Sequence, residues 1–423
     1  MTLLLGLAIL ALALLGAPLF TVIGAAALVA FWWIGIDTAA VIIELYRMAS
    51  APALLAIPLF TFAGYLMAES GTPTRLVNLA RACFGWVPGG LGVVTLIVCA
   101  IFTAFTGASG VTIIALGGLL YPALIREAYP ERFSLGLVTA SGSLGVLFAP
   151  SLPLILYGLV ARTSVDKLFI AGIVPGILLV LLLSAYSMHV GHQAKVPKVP
   201  FRWDALGRAA REAAFEIPLP FLVLGGIYGG YFTATEAAAI TAFYVLIVEV
   251  FIYKDLSLKK DVPRVMVESM VLVGGILVIL GVALGFTNFL IDQEVPLVLF
   301  DLMRTYLTSK VTFLIALNIF LLIVGCLMDI FSAIIVVVPL ILPIAMEFGV
   351  DPVHLGIIFL TNLEIGFATP PVGINLFIAS FRFSKPVVDL YFAALPFLWI
   401  RLLALIIITY VPDLTLFLVR LMG

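Results

Sequence analysis

The chain has 423 residues, of which 64% are hydrophobic and 11% are charged, and its net charge is −1. Soluble domains carry about 25% charged residues, so this composition excludes a soluble protein of this size, and the balanced charge gives no basic surface for nucleic acid. The three cysteines and three histidines lack metal-ligand spacing, which is typical of packing residues. The sequence predicts a polytopic all-α membrane protein whose solvent is the lipid bilayer.

The N-terminal apolar segment, residues 3–15, is predicted to stay in the membrane as part of the protein. No basic residue precedes it, and apolar sequence continues to Trp33, so it does not resemble a signal peptide. The pattern leaves open whether the segment up to Trp33 forms one helix or two. A span needs roughly 20 apolar residues, and five later runs meet this requirement: 51–69, 165–190, 235–253, 266–290 and 388–411.

Two other apolar stretches are interrupted, and each precedes a crossing that glycine and proline break. The stretches are 91–129, interrupted at 106–110, and 311–347, interrupted at 325–329; the broken crossings contain 145–153 and 366–373. A shift of 221 in residue number places Gly145 on Gly366, Pro150 on Pro371 and Pro122 on Pro343. The sequence therefore predicts two repeats, each with an interrupted hairpin followed by a broken crossing.

A short amphipathic arm precedes each repeat, at 73–85 and at 294–307. A shift of 223 pairs Pro73 with Pro296 and Arg81 with Arg304 in these arms. Basic residues cluster in the loops 195–211 and 254–264, which the positive-inside rule assigns to the cytoplasm. Counting crossings from these loops puts the first arm in the cytoplasm and the second in the periplasm, so the repeats are predicted to be inverted.

Inverted repeats with broken helices are typical of secondary transporters. A helix break leaves backbone carbonyls and amides without helical hydrogen bonds. The carbonyls suit a cation such as sodium, and the amides at the N-terminus of a half-helix suit an anion. Gly145 and Gly366 permit unusual backbone angles, and the neighbouring prolines keep the breaks open. Hydroxyl oxygens can add ligands, and they are supplied by Thr103, Thr106, Ser109, Thr112 and Thr369. The alternative for each of these residues is plain helix packing.

Placing a charged residue within the membrane costs free energy, so Asp329 and Glu364 are predicted to have a functional role. Glu236 is expected to favour a helix N-terminus, and Glu44 with Arg47 is expected to form an interfacial ion pair. No catalytic motif or nucleotide-binding domain is present in the sequence. Uphill transport would therefore have to use an ion gradient.

Three segments carry a resemblance to a known family: residues 121–157, the sequence GGIYGGYFTATE at 225–236, and DPVHLGIIFLTNLEIGFATPPVGINLF at 351–377. Over essentially its whole length the chain resembles the large membrane subunit (M, DctM-type) of tripartite ATP-independent periplasmic (TRAP) transporters. The resemblance implies a bacterial inner-membrane importer of C4-dicarboxylates, sialic acid or related carboxylates, coupled to Na⁺. It also implies two partners, a small four-helix membrane subunit (Q-type) and a periplasmic substrate-binding protein (P-type).

The resemblance further implies an elevator mechanism, in which a transport domain holding two re-entrant hairpins slides against a scaffold. The expected division is scaffold at 1–72, transport repeat 1 at 73–163, scaffold at 164–293, transport repeat 2 at 294–385, and a C-terminal scaffold helix at 386–423.

Family sodium sites lie between hairpin and broken helix, and the matching positions here form two sets. The first is Thr103, Thr106, Gly145, Phe148 and Pro150, and the second is Gly325, Gly366, Thr369 and Val372. The family's first tip is often rich in serine but here reads Thr-Gly-Ala-Ser-Gly, which favours backbone over side-chain ligation. Substrate binding is predicted at Ser109, Ser151, Asn362 and Asn375, although the two asparagines could instead bond a neighbouring helix.

Other functions remain open from the sequence. A stand-alone sodium/anion symporter with similar repeats would need no partners, and a passive channel would show flux without ion coupling. An intramembrane enzyme would need a convergent nucleophile and base, which the sequence does not offer. A purely structural protein would leave the matched broken segments unexplained.

Overall fold

The computed structural model describes residues 9, 11–12, 15–49, 52–196, 200–295, 297–298, 300–301, 307 and 309–422. These residues form helices and the connections between them, which confirms the all-α prediction. The helices are α1 Leu19–Trp33, α2 Ala39–Ala49, α3 Ala56–Glu69, α4 Thr72–Phe84, α5 Gly90–Thr106, α6 Ser109–Arg126, α7 Glu131–Ser141, α8 Leu152–Val160, α9 Val165–Gln193, α10 Trp203–Glu212, α11 Pro218–Tyr228, α12 Ala234–Ile247, α13 Asp261–Asp292, α14 Lys310–Leu327, α15 Ile330–Glu347, α16 Pro352–Gly366, α17 Ile374–Phe383, α18 Val387–Tyr410 and α19 Asp413–Met422. Short 3₁₀ turns lie at Pro52–Leu55 and Leu144–Leu147, and a π turn at Val248–Ile252 extends α12.

Seven helices of the described part are long and apolar enough to cross a bilayer: α6, α9, α12 with its π turn, α13, α14, α15 and α18. An eighth candidate is the pair formed by α7 with its 3₁₀ turn and α8, which is bent by 45° at the break between them. Four of the five predicted long spans agree with these helices. The fifth, 51–69, is α-helical only from Ala56, because Pro58 lacks an amide donor and is tolerated in the first turn of a helix.

The helices α5 to α9 recur in the same order as α14 to α18. Helix α6 begins at Ser109 and α15 at Ile330, which a shift of 221 in residue number relates, and the same shift relates the starts of α7 and α16. Pro175 inside α9 and Pro396 inside α18 also obey this shift. The repeat therefore extends one helix beyond the bounds predicted from the sequence.

Helix α4 coincides with the predicted first arm. Half of the second arm, 294–307, lies outside the described residues, and so do Pro296 and Arg304, its members of the two predicted pairs. Most of the segment before residue 15 also lies outside them. The described positions are helical at 9, 11 and 12, turn at 15–16 and are helical again from Leu19, so the N-terminal segment is interrupted before α1.

Close contacts define how the repeats pack. A Cβ atom on Gly136 of α7 would overlap the carbonyl of Ala393 in α18, and one on Gly172 of α9 would overlap the carbonyl of Leu147. Helices α9 and α18, which the sequence assigned to the scaffold, thus pack tightly on the broken crossings. Which helices move together stays a prediction.

A second group of helices, α1 to α3 with α12 and α13, packs beside the repeats. Small residues permit close contact there: a Cβ on Gly281 of α13 would lie 2.9 Å from the Leu45 side chain of α2. The repeats hold the most buried helices, and every residue of α16 from Val353 to Gly366 is buried. Their largely apolar composition favours this position.

Candidate functional site

The first tip is the connection between α5 and α6, at Gly107 and Ala108. Helix α5 ends there because Gly107 adopts φ 65°, and its N–H donates to the Thr103 carbonyl at 2.8 Å. Glycine takes this left-handed conformation without a Cβ clash. Helix α6 then begins after Ala108, and no described side chain caps its first amides. The first tip therefore presents amide donors at the positive end of a helix dipole.

A cluster of three buried hydroxyl groups lies beside the first tip. The Thr103 hydroxyl contacts the Thr112 hydroxyl at 2.7 Å and donates to the Gly142 carbonyl at 2.9 Å, and Thr106 lies 3.5 Å from Thr112. All three threonines are fully buried. The structure thus brings the predicted Thr103 and Thr106 together and adds Thr112, which the predicted ligand set omits.

The first break, residues 142–151, packs its backbone onto α5. A Cβ on Gly145 would overlap the backbone of Ala100 and Ala104, so only glycine fits this approach. The Phe148 N–H donates to the Gly145 carbonyl at 3.0 Å, and the Ser151 N–H donates to the Phe148 carbonyl at 3.1 Å. The Ala149–Pro150 peptide is cis. Each of these carbonyls has a second lone pair that could face a cation.

The second break, residues 366–373, repeats this backbone arrangement against the end of α14. The second tip, Met328 and Asp329, follows α14 directly. A Cβ on Gly366 would overlap the backbone of Gly325, and the repeat shift relates this pair to Gly145 and Ala104. The Thr369 N–H donates to the Gly366 carbonyl at 2.9 Å, matching the bond between Phe148 and Gly145. The Pro370–Pro371 peptide is also cis.

Further contacts link the second break to the end of α14. The Gly373 N–H donates to the Cys326 carbonyl at 3.2 Å. The Thr369 hydroxyl donates to the Ile365 carbonyl at 2.8 Å, which leaves its oxygen free to accept or to ligate. Val372 is 36% exposed, so the second break is open at its far side. Close backbone contacts thus join Gly325, Gly366 and Thr369. Val372 lies at the exposed edge of the same break.

The donor sets at both breaks are neutral oxygens. No cluster of three His, Cys, Asp or Glu suited to a metal occurs among the described residues. Unwound backbone carbonyls are the groups that hold Na⁺ in broken-helix transporters. Both sets therefore fit a sodium ion better than a transition metal, which would require nitrogen or sulfur ligands.

The predicted substrate residues separate into two groups. The Ser109 hydroxyl donates to the Asn375 side-chain oxygen at 2.7 Å, joining the first tip to the start of α17. The Asn375 amide nitrogen and the Ser151 hydroxyl are buried, and neither has a hydrogen-bond partner in the described ranges. Asn362 instead donates to Asn318 at 2.8 Å and to Ile358, so it links α16 to α14 and lies within a helix interface.

The profile of the family described as "Tripartite ATP-independent periplasmic transporter, DctM component" matches residues 6–414. The chain belongs to this family. The resemblance seen in the three sequence segments is confirmed, and because TRAP permeases are multi-pass membrane transporters, this chain is not an enzyme.

Two relatives and one solved structure show the extent of the similarity. The chain is 40% identical over 385 residues to the C4-dicarboxylate TRAP transporter large permease protein DctM of Pseudomonas aeruginosa, which covers 90% of this chain and 89% of that protein. It is 40% identical over 368 residues to the isethionate TRAP transporter permease protein DctMQ of Oleidesulfovibrio alaskensis, which covers 86% of this chain and 58% of that protein. The crystal structure of the Alcanivorax borkumensis YdaH transporter matches with a TM-score of 0.60 at 13% identity, over 87% of this chain and 86% of that one. This last likeness shows the fold of a membrane transporter.

A buried ion pair lies beside the second break of this DctM-type subunit, and the sequence did not predict its arginine. Arg401 of α18 lies 3.6 Å from the Glu364 carboxylate and donates to the Glu364 carbonyl at 3.4 Å. The Ser143 hydroxyl donates to the same carbonyl at 3.5 Å. The repeat shift of 221 relates Ser143 to Glu364, so equivalent positions of the two repeats meet here. Arg401 is the one charge in the apolar run 390–412, and that signal would have identified it.

The other predicted charges have structural partners. The Asp329 carboxylate accepts hydrogen bonds from the Phe331 and Ser332 amides, both at 3.0 Å, and so caps α15. Glu236 forms a capping box with Thr233, and Arg47 pairs with Glu44 at 3.3 Å. The expectations for Glu236 and for the Glu44 pair are confirmed.

Proposed function

We propose that this chain is the large membrane subunit of a sodium-coupled TRAP importer that carries a small organic acid. The observation that carries the proposal is the first tip, where the uncapped start of α6 meets Asn375, whose side-chain nitrogen is buried and has no described hydrogen-bond partner. Amide donors at a helix N-terminus attract an anion. The neutral oxygens of the two breaks supply sites for the coupling cation.

The anion would bind where three helix N-termini approach the first tip. Ser109 begins α6, Asn375 lies in the first turn of α17, and Ser151 precedes α8. The free donors of Asn375 and Ser151 would satisfy carboxylate oxygens, and a buried donor without a partner carries a desolvation cost that a substrate would remove. The substrate would therefore contact both repeats at once.

Sodium would bind on either side of this anion. Thr103, Thr106, Gly145, Phe148 and Pro150 would hold one ion, with Thr112 as an added hydroxyl ligand. Gly325, Gly366, Thr369 and Val372 would hold the other. Because positive charge at both breaks lowers the cost of burying a carboxylate between them, sodium binding and substrate binding would favour each other.

The substrate class follows from the relatives. The Pseudomonas aeruginosa protein is named for C4-dicarboxylates and the Oleidesulfovibrio alaskensis protein for isethionate, and both are small organic anions. We propose a C4-dicarboxylate as the first candidate and sialic acid as the second. Selectivity would be shared with a periplasmic P-type binding protein.

Partners and motion complete the proposal. The name DctMQ and the greater length of that relative support a separate small Q-type subunit for this chain, in the bacterial inner membrane. We propose that α5 with α6 and α14 with α15 are re-entrant hairpins, since their tips contact the broken crossings inside the protein. These hairpins, with the broken crossings, would move as an elevator against the helices α1 to α3, α12 and α13.

Uptake by proteoliposomes would test the proposal. The chain is reconstituted with its small subunit, and radiolabelled succinate or sialic acid is supplied with the cognate binding protein. We expect uptake that requires both an inward sodium gradient and the binding protein. Sodium-driven uptake without the binding protein would identify a stand-alone symporter, and flux without any gradient would identify a channel.

A further inference from the structure

A buried charge network lies at the start of the first arm. Arg75 of α4 donates to Asp255 at 2.6 Å and to Glu249 at 2.9 Å, and its Nε forms an ion pair with Glu216. The Arg75 side chain is 12% exposed, and those of Glu216 and Glu249 are 4% and 2% exposed. One guanidinium thus forms ion pairs with three carboxylates in a largely buried site.

The three carboxylates belong to one preassembled unit. Glu216 precedes α11, Glu249 lies in the π turn after α12, and Asp255 follows in the next loop. The Asp255 N–H donates to the Glu249 carbonyl at 2.9 Å, and the Tyr253 hydroxyl contacts Glu216 at 3.0 Å. The Tyr253 ring also lies 3.8 Å beneath the Arg75 guanidinium. The first two contacts link the acidic groups to one another without the arm, and the third joins them to Arg75 of the arm.

The arm's first turn adds bonds of its own to this unit. The Gly71 N–H donates to Asp255 at 2.9 Å, and the Thr72 hydroxyl donates to Glu249 at 2.7 Å. Burial disfavours the charged form of Asp255, but the hydrogen bonds from Arg75 and Gly71 outweigh it and hold the pKa of Asp255 below its usual value. Asp255 therefore stays ionised at neutral pH and keeps its bonds to the arm.

The far end of the arm is held differently. Arg81 pairs with Glu127 at the end of α6, and their side chains are 46% and 17% exposed. A single ion pair that is partly open to water contributes little. Opening the Arg75 network, by contrast, would strand buried carboxylates, which is strongly unfavourable. The charged contacts thus hold the arm strongly at its start and weakly at its end.

We propose that the Arg75 network is the fixed pivot of the first arm, which stays closed while the hairpin beyond it moves. The inference rests on the proposed elevator motion. Arg75 is a positioning residue in this account, because it touches neither the breaks nor the first tip. The moving part begins after Arg75, and the weak pair of Arg81 and Glu127 lies on the moving side.

Cross-linking would test the pivot directly. A Cβ on Gly71 would lie 2.7 Å from the Asp255 carboxylate and 2.6 Å from the Arg75 guanidinium. A disulfide between Gly71→Cys and Asp255→Cys therefore replaces the ion pair of Arg75 with Asp255 and keeps the side chains of Glu216 and Glu249. The background carries Cys83→Ser, Cys99→Ala and Cys326→Ala. We expect the oxidised protein to keep at least about half the uptake of the reduced protein. A fall of more than about tenfold that reductant reverses would overturn the pivot.

A second pair reports whether the hairpin moves at all. Met67 of α3 and Phe105 of α5 line one apolar cavity of about 480 Å³, and cysteines there can be joined by a bifunctional thiol reagent. We expect this bridge to abolish uptake. If it leaves uptake intact, the arm has no motion to support and the inference is wrong. The unbridged samples report on the proposed function itself, so its failure would be seen separately.

Conservative variants provide a test that does not depend on cross-linking. Arg75→Lys keeps a charge but loses the guanidinium fork, and we expect at least a tenfold slower maximal uptake per folded protein, with unchanged KM for sodium and substrate. Arg81→Lys, six residues along the same helix, should stay within about twofold. If Arg75→Lys lowers only the amount of folded protein, its role is stability and the pivot is refuted.

Discussion

The two breaks share a backbone plan but differ in their side chains. In each, a glycine packs directly on the preceding hairpin helix, Gly145 on Ala104 and Gly366 on Gly325. The first break is surrounded by the hydroxyls of Thr103, Thr106 and Thr112, all fully buried. The second lies beside the charged pair of Glu364 and Arg401 and is open at Val372.

The two tips differ in whether a side chain caps the helix that follows. The amides at the start of α15 are already satisfied by Asp329, whereas those at the start of α6 follow Ala108 and have no described side-chain cap. In the proposed function, the shared backbone plan would supply two similar cation sites. The anion would bind at the first tip, because of the two tips only the first has helix amides without a described side-chain cap.

Breaking the buried pair should have the largest effect. Arg401→Met leaves Glu364 buried without its cation, and removing one partner of such a pair costs about 3–5 kcal/mol. We expect a sharp loss of folded protein, measured by thermal unfolding in detergent. Glu364→Gln combined with Arg401→Met should recover most of the stability.

The matched change in the first repeat is Ser143→Ala, at the position equivalent to Glu364. Because Ser143 is neutral, its loss should alter thermal unfolding little. If Arg401→Met unfolds at the same temperature as the native protein, the charged pair does not support the second break and the contrast between the repeats fails.

Alanine at the two glycines tests whether the breaks are equivalent. A Cβ at Gly145 or Gly366 would strike backbone atoms, and overpacking of this kind costs about 1–3 kcal/mol. We expect each variant to raise the sodium concentration for half-maximal uptake by about tenfold, the change that about 1.4 kcal/mol produces. The control is Gly275→Ala in α13, whose Cβ would meet nothing within 4 Å. An effect at one glycine alone would show that the breaks do not play equivalent roles.

A carboxylate placed at the first tip should compete with the substrate. Ala108→Asp would cap α6 as Asp329 caps α15, and the repulsion between like charges would raise the substrate KM by about tenfold or more. Ala108→Asn caps the same amides without charge and should raise KM only modestly. Equal effects of the two variants in uptake assays would place the anion elsewhere.

The smallest effect is expected at the second tip. Asp329→Ala removes two hydrogen bonds from the start of α15, and losing an N-cap costs about 1 kcal/mol. Asp329→Asn should retain most of that stability because asparagine caps as well. Thermal unfolding of both variants in detergent measures the difference, and a fully stable Asp329→Ala protein would show that the cap contributes nothing.

Local signals in the sequence located the breaks but not their partners. Glycine and proline mark the break at 145–153 regardless of distant residues, and the shift of 221 recurs in the starts of α6 and α15. The sequence places Arg75 only on the cytoplasmic side. Its carboxylate partners lie 141 to 180 residues away, and a single sequence contains no signal that joins them.

Asn362 and Asn375 illustrate the same limit. Both are asparagines near the second break, and the sequence could not separate a helix contact from a binding role. The structure places Asn362 against Asn318 and Asn375 against Ser109. The distinction depends on which helices are neighbours, and that is decided by the packing of the two repeats.

The ratio of sodium to substrate tests the central claim, that each break holds one cation. The reversal potential of substrate flux in proteoliposomes, at several sodium gradients and membrane potentials, gives this ratio directly. The account predicts at least two sodium ions per substrate. A ratio of one, or flux that ignores the sodium gradient, would contradict it.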